Sequence, residues 1–157
     1  MIFFQVLIAG ITVNAVAGFG EELGWRGLLQ KELRNLGFWK SSFIIGFFWG
    51  IWHFPLILMG HNYPNSPFIG ILMMTMIGLF LGPIFSFVKI KSKSVIAASI
   101  CHGSFNASLG LSILYIKGGT ELLTGMTGLA GLLAIIIVDI FIYYIYNPTN
   151  LKKVNYN

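Results

Sequence analysis

Two carboxylates stand side by side in this chain, Glu21 and Glu22, and Arg26 follows four residues later. The preceding run, residues 2–19, is apolar enough for a membrane helix. Only five acidic residues occur in 157, so an adjacent pair beside such a run needs a purpose. An ionised carboxylate in lipid costs ~2.5–3.5 kcal/mol on insertion scales, and ionisable residues at that depth read by default as a functional site. His53, His102 and Asn106 also lie inside apolar segments. Together the set offers a general base, a proton carrier and hydrogen-bond donors. A carboxylate in an apolar pocket can take a proton from water. An imidazole can share that water or return the proton to a leaving amine. His102 and Asn106 can donate to a developing oxyanion. Chemistry of this kind is water-mediated hydrolysis of a peptide bond. Ser104 is two residues from His102 and faces away from it on a helix, and no HExxH zinc signature occurs.

Helical spacing supports the grouping. Glu22 and Arg26 are four apart and share a face, as do Trp49 with His53 and His102 with Asn106. For any one pair the plain alternative is an interhelical hydrogen bond that holds a bundle together. Five such residues in one chain favour a site. Counted at 1.5 Å per residue from the nearest basic loop, Glu22 lies about 21 Å in, His53 and Asn106 about 18 Å, and His102 about 12 Å. Three segments thus carry polar groups at comparable middle depths.

Those segments must be membrane helices. The chain is 56% hydrophobic and 10% charged, against roughly 25% charged in soluble domains, and so much apolar surface has no core to enter at this size. The apolar runs 2–19, 42–59, 67–88, 94–116 and 122–146 are each long enough to cross a hydrocarbon core of ~30 Å. The expected fold is an all-α, polytopic transmembrane bundle of about five spans, one domain over 1–157. In the second run Pro55 should kink the helix, and Trp49 and Trp52 either form an interfacial belt or pack around His53. The methionines of the third run fill gaps. Gly18, Gly20, Gly24 and Gly27 around the carboxylates, and Gly125, Gly128 and Gly131 in the fifth run, predict close helix packing. Asp139 reads as a polar residue near an interface, and His61 as a solvated loop residue.

The net charge of +5 sits in short loops, so it points to membrane topology and not to nucleic acid. Lys31, Arg34 and Lys40 precede the second run, Lys89, Lys91 and Lys93 precede the fourth, and Lys152 and Lys153 follow the fifth. The loop 60–66 carries no Lys or Arg, and the loop after the fourth run has Lys117 alone. By the positive-inside rule the N-terminus is external and the C-terminus cytoplasmic. No signal peptide is evident, and the single Cys101 makes no internal disulfide. The tail 147–157 is expected to be disordered at its end.

At these residues the sequence resembles the CPBP intramembrane proteases, also called ABI or CAAX-protease-like, whose motifs are EExxxR, FxxxH and HxxxN. Here they read Glu21-Glu22-Leu23-Gly24-Trp25-Arg26, Trp49-Gly50-Ile51-Trp52-His53, with Trp49 at the aromatic position, and His102-Gly103-Ser104-Phe105-Asn106. All three occur in order within a motif core of residues 18–108. The resemblance implies an integral-membrane endopeptidase, in the bacterial cell membrane for the bacterial branch, acting on a peptide or lipidated protein in the bilayer. It implies that Glu21 with His53 activates water, that His102 with Asn106 forms the oxyanion site, and that Glu22 with Arg26 supports the geometry. The family was first described as metalloproteases. Glu21, Glu22, His53 and His102 are therefore the candidate ligands for a divalent metal such as zinc, against a metal-free, glutamate-dependent alternative. Bacterial relatives linked to bacteriocin immunity supply a second function, a non-catalytic immunity or binding protein.

Overall fold

The structure, a computed structural model, describes residues 2–145. Lys152, Lys153 and the tail 147–157 lie outside the described residues. Five long helical segments make up the fold, and no strand occurs among the described residues. They are α1 (Ile2–Leu36), α2 (Phe38–Leu58), α3 (Pro67–Ser92), α4 (Val95–Tyr115) and α5 (Leu129–Ile145). The first three are long and apolar enough to cross a membrane. The fourth has 21 residues but carries His102, Asn106 and several serines. The fifth has 17 residues, a rise of about 25 Å. The protein is thus an integral membrane protein by its apolar spans. Its outer faces present Phe4, Val13, Val16, Met59, Phe68 and Leu72, the surface that lipid tails solvate.

Glycine sets the closest helix approach. Gly46 and Gly50 of α2 meet Gly78 and Gly82 of α3, and a Cβ on Gly50 would stand 2.7 Å from Thr75 Cα. Both pairs are GxxxG spacings, which let antiparallel backbones touch where lipid gives no hydrophobic drive. Around this seam Trp49, Ile57, Tyr63, Met74, Ile77, Leu81 and Phe85 form the core, joined by Leu132 and Ile135 of α5.

α1 and α2 are not uniform helices, and each irregularity positions something. α1 breaks at Thr12 (φ −117°, ψ −95°). Gly103 of α4 sits in the crook, where a Cβ would strike Gly10 O and Ala15 N. Residues Leu23–Leu29 are π-helical, the amide of Gln30 reaching the carbonyl of Trp25. α2 is interrupted at His53, one residue before the short helix Phe54–Leu58 that holds Pro55 near its start. The kink expected from Pro55 therefore falls on the histidine.

Some expectations change. Gly18 packs against the His102 ring, but a Cβ on Gly20 or Gly24 would meet nothing within 4 Å. Gly125 (φ 78°) and Gly128 precede α5 and build its entry turn, so only Gly131 lies in that helix. Asp139 is 6% exposed inside the bundle, and neither carboxyl oxygen has a hydrogen-bond partner among the described residues. It turns to the bundle and not to lipid: α5 lies along α3, and Asp139 falls on the same buried face as Leu132, Ile135 and Ile142.

Candidate active site

The EExxxR segment divides its two carboxylates between two environments. Consecutive residues on a helix diverge by about 100°, so when one glutamate faces the bundle interior its neighbour cannot. Glu22 is fully buried, and its Oε1 accepts from Arg26 Nη1 at 2.8 Å and from His102 Nδ1 at 2.9 Å. Glu21 faces a cavity of about 430 Å³. Its Oε2 accepts from the indole Nε1 of Trp49 at 2.8 Å.

The π turn maintains a buried polar line behind this cavity. Glu22, Arg26 and Gln30 are all fully buried. In an ideal α-helix each step of four residues would rotate the face by about 40°. The wider turn with an i→i+5 bond holds the three nearer one line, and such bulges cluster at functional sites. The Arg26 guanidinium is sandwiched between the rings of Trp49 and Phe85, with Cζ 5.2 and 5.1 Å from their centroids. A desolvated cation between two aromatic faces gains about 2 kcal/mol, which offsets part of its burial.

The helix interruption orients His53. Its amide bonds the Gly50 carbonyl at 3.2 Å, an i→i−3 bond, and the Trp49 carbonyl meets its Nδ1 at 2.8 Å. A carbonyl only accepts, so Nδ1 carries the proton and Nε2 of the neutral ring holds the lone pair. The ring lies edge-on to Trp49 and Trp52. Trp49, buried to 2%, therefore packs around the site and is no belt residue, while Trp52 is half exposed. His102 stacks on Phe85 at 5.4 Å. With Nδ1 donating to Glu22, only its Nε2 remains for other work.

Glu21, His53, His102 and Asn106 line the one cavity, and Glu22 and Arg26 stand behind it. Asn106 is exposed and also borders a second cavity of about 360 Å³ with Gln5 and Asn14. Sequence reasoning set His61 aside, yet it lines the same cavity with Asn62. The loop after α2 folds back over the site: Tyr63, fully buried, donates its hydroxyl to Thr127 O at 2.6 Å, and Asn65 donates from N and Nδ2 to both carboxyl oxygens of Glu121 at 2.8 Å. The turn cluster at 60–66 marked a loop but not its direction of return.

A catalytic zinc takes three protein ligands. Among the described residues no three His, Cys, Asp or Glu side chains stand together so as to hold a metal. Glu22 is committed to Arg26 and His102, so the four candidate ligands do not fit a metal centre in this arrangement. What the cavity holds is a carboxylate fixed by one oxygen with the other oxygen clear of that bond, an imidazole lone pair, and polar groups across from them.

A curated relative, CAAX prenyl protease 2 of Methanococcus maripaludis, is 34% identical over 110 residues, which is 66% of this chain and 40% of the relative. This chain thus aligns with less than half the length of that protein. No solved structure matches this chain. The family described as Type II CAAX prenyl endopeptidase Rce1-like matches residues 3–108, the stretch that holds all three motifs and every side chain of the Glu21–His53–His102–Asn106 cavity set. The chain belongs to the Rce1-like family of Type II CAAX prenyl endopeptidases.

Proposed function

We propose that this protein is an intramembrane endopeptidase that hydrolyses a peptide bond with a water activated by Glu21 and His53. The observation that carries the reading is the convergence of Glu21, His53, His102 and Asn106 on one cavity. Glu21, held through Oε2 by Trp49, takes a proton from the water, whose oxygen attacks the scissile carbonyl carbon. His53, its Nδ1 anchored on the Trp49 carbonyl, accepts a hydrogen bond from the same water at Nε2 and orients it, and Glu21 gives the proton it took to the amine as the C–N bond breaks. The Asn106 amide donates to the developing oxyanion. His102 joins it only as the imidazolium, since its Nδ1 proton is used by Glu22 and Nε2 must carry a second one to donate. No step uses a metal. The relative's name supports a lipid-carrying, membrane-anchored polypeptide as the substrate class.

The test is Glu21→Gln, which retains shape but cannot accept the proton. General-base removal costs ~10²–10⁴-fold in rate. Neo-N-termini are compared between membranes holding the wild-type chain and membranes holding the variant, with thermal stability measured on both. Loss of cleavage with unchanged stability is expected. Wild-type cleavage by the variant refutes the reading.

A further inference from the structure

Behind the cavity, six polar atoms of fully buried residues have no hydrogen-bond partner among the described residues. They are Glu22 Oε2, Arg26 Nε and Nη2, Gln30 Oε1, and the hydroxyls of Ser42 and Ser86. Leaving a buried polar group unpaired costs the full desolvation of that group. The two serines differ from other hydroxyl residues of these helices. Ser41, Thr75, Ser99 and Ser108 each donate to the carbonyl four residues back. Ser42 and Ser86 do not, so their hydroxyls are left for another partner.

These groups meet where α1, α2 and α3 come together. Arg26 and Gln30 follow one another on the line held by the π turn. Gln30 donates its Nε2 to Ser86 O at 3.4 Å, which turns Oε1 away from that carbonyl. Phe85, beside Ser86, covers one face of the Arg26 guanidinium and Trp49 the other. Glu22 takes Nη1, so Nε and Nη2 are left at the edge of the plane. Ser42 lies two turns before Trp49 on the buried face of α2, and a Cβ on Gly82, one turn before Ser86, would strike Ser42 O.

The inventory of donors and acceptors selects the occupant. Arg26 Nε and Nη2 only donate, Gln30 Oε1 and an ionised Glu22 Oε2 only accept, and each hydroxyl does both. A cation would face the guanidinium. An anion would face Glu22 and the Gln30 amide oxygen. Water both donates and accepts, and a buried water makes about three hydrogen bonds to polar groups otherwise left unsatisfied.

We propose that Gln30, Ser42 and Ser86 form a buried water site against the free edge of Arg26, and that through Arg26 and Glu22 they are positioning residues for His102. Arg26 Nη1 and His102 Nδ1 share Glu22 Oε1. A guanidinium that tilts therefore moves that oxygen, and with it the imidazole that lines the cavity. The effect on turnover rests on the endopeptidase reading; the water site does not.

The first arm of the experiment is solid-state NMR on the full chain in lipid bilayers, with arginine side chains nitrogen-labelled. Arg26 and Arg34 are the only arginines, so Arg34→Lys identifies the Arg26 signal. Magnetisation is expected to pass from water to Arg26 Nε–H although the residue is fully buried. Absence of that transfer overturns the site. Ser42→Ala combined with Ser86→Ala is expected to weaken it, and transfer at the wild-type level overturns the part given to the hydroxyls. In the second arm, Ser86→Ala and Gln30→Met are expected to lower kcat about tenfold, the equivalent of weakening one hydrogen bond to a charged group. KM should stay unchanged and the His102 Nδ1 resonance should shift. Lower thermal stability with wild-type kcat and an unmoved His102 signal overturns the positioning role. Ser42→Ala, the smallest change, replaces Gln30→Met if that variant does not accumulate. The NMR arm needs no activity. Wild-type cleavage by Glu21→Gln, which refutes the endopeptidase reading, is therefore distinguishable from failure of the water site.

Discussion

The two adjacent glutamates do unlike things because their partners differ. Glu22 is enclosed by Arg26 and His102, while Glu21 has one neutral donor, Trp49, and a cavity in front of it. Removing Arg26 leaves Glu22 charged and buried with only an imidazole, and breaking a buried pair in this way costs ~3–5 kcal/mol. Arg26→Ala is therefore expected to lower the thermal midpoint and the yield of folded protein, measured in nanodiscs; a variant as stable as wild type refutes a structural role for the pair. Trp49 allows a finer test. The family motif has Phe at this place, which keeps a ring but has no N–H to donate. Trp49→Phe removes a hydrogen bond to a charged acceptor, worth ~1.5–3 kcal/mol. The expected result is a lowered kcat with KM little changed, since Glu21 loses the donor that holds its carboxyl group in place. An unchanged kcat refutes the positioning role of the indole.

At the scale of elements, the α2–α3 seam decides where Trp49 and His53 stand. Gly50 lies between them, and its Cα faces backbone: an added Cβ would be 2.7 Å from Thr75 Cα and 2.9 Å from Met74 O and Thr75 O. Backbone atoms cannot rotate away, so the helices must part. Overpacking of this kind costs ~1–3 kcal/mol. Gly50→Ala is expected to lower thermal stability and turnover together. Gly24→Ala is the control, because a Cβ there meets nothing within 4 Å; it should match or exceed wild-type stability, as Ala is favoured over Gly by ~1 kcal/mol within a helix. Equal stability losses at both positions refute the seam as the cause.

For the whole molecule, the two loops at the cavity end tie α2–α3 to α4–α5. Tyr63 is the buried member of that tie, and burial pushes its hydroxyl from the ordinary 10.0 up to about 12. The unfolded chain releases the proton first, so the contribution of neutral Tyr63 is complete below pH 10. It is lost as pH rises from there through about 12. Unfolding midpoints measured against pH should fall over that window more steeply in the wild-type chain than in Tyr63→Phe. The variant should also lose ~0.5–1.5 kcal/mol at neutral pH with the Thr127 hydrogen bond. Parallel alkaline limbs refute the linkage.

By itself the sequence determined the membrane class and the helices, because hydropathy and helical period are properties of short windows; it also named polar residues that the fold brings to one cavity. Glu22 with Arg26, and His102 with Asn106, were legible as one-turn spacings. The spacing paired Glu22 with Arg26 and the resemblance gave Glu21 and Glu22 different roles, but composition does not say which of two neighbours on a helix turns inward. Which one faces the bundle depends on where α4 brings His102. That in turn depends on Gly103 entering the break at Thr12 and on the π turn after Glu22, neither marked by local pattern. The GxxxG pairs of α2 and α3 were visible as letters, but their mutual register exists only between helices. His61 entered the cavity, and Asp139 the interior, for the same reason: the return path of a loop and the buried side of an all-apolar helix are set by what packs against them.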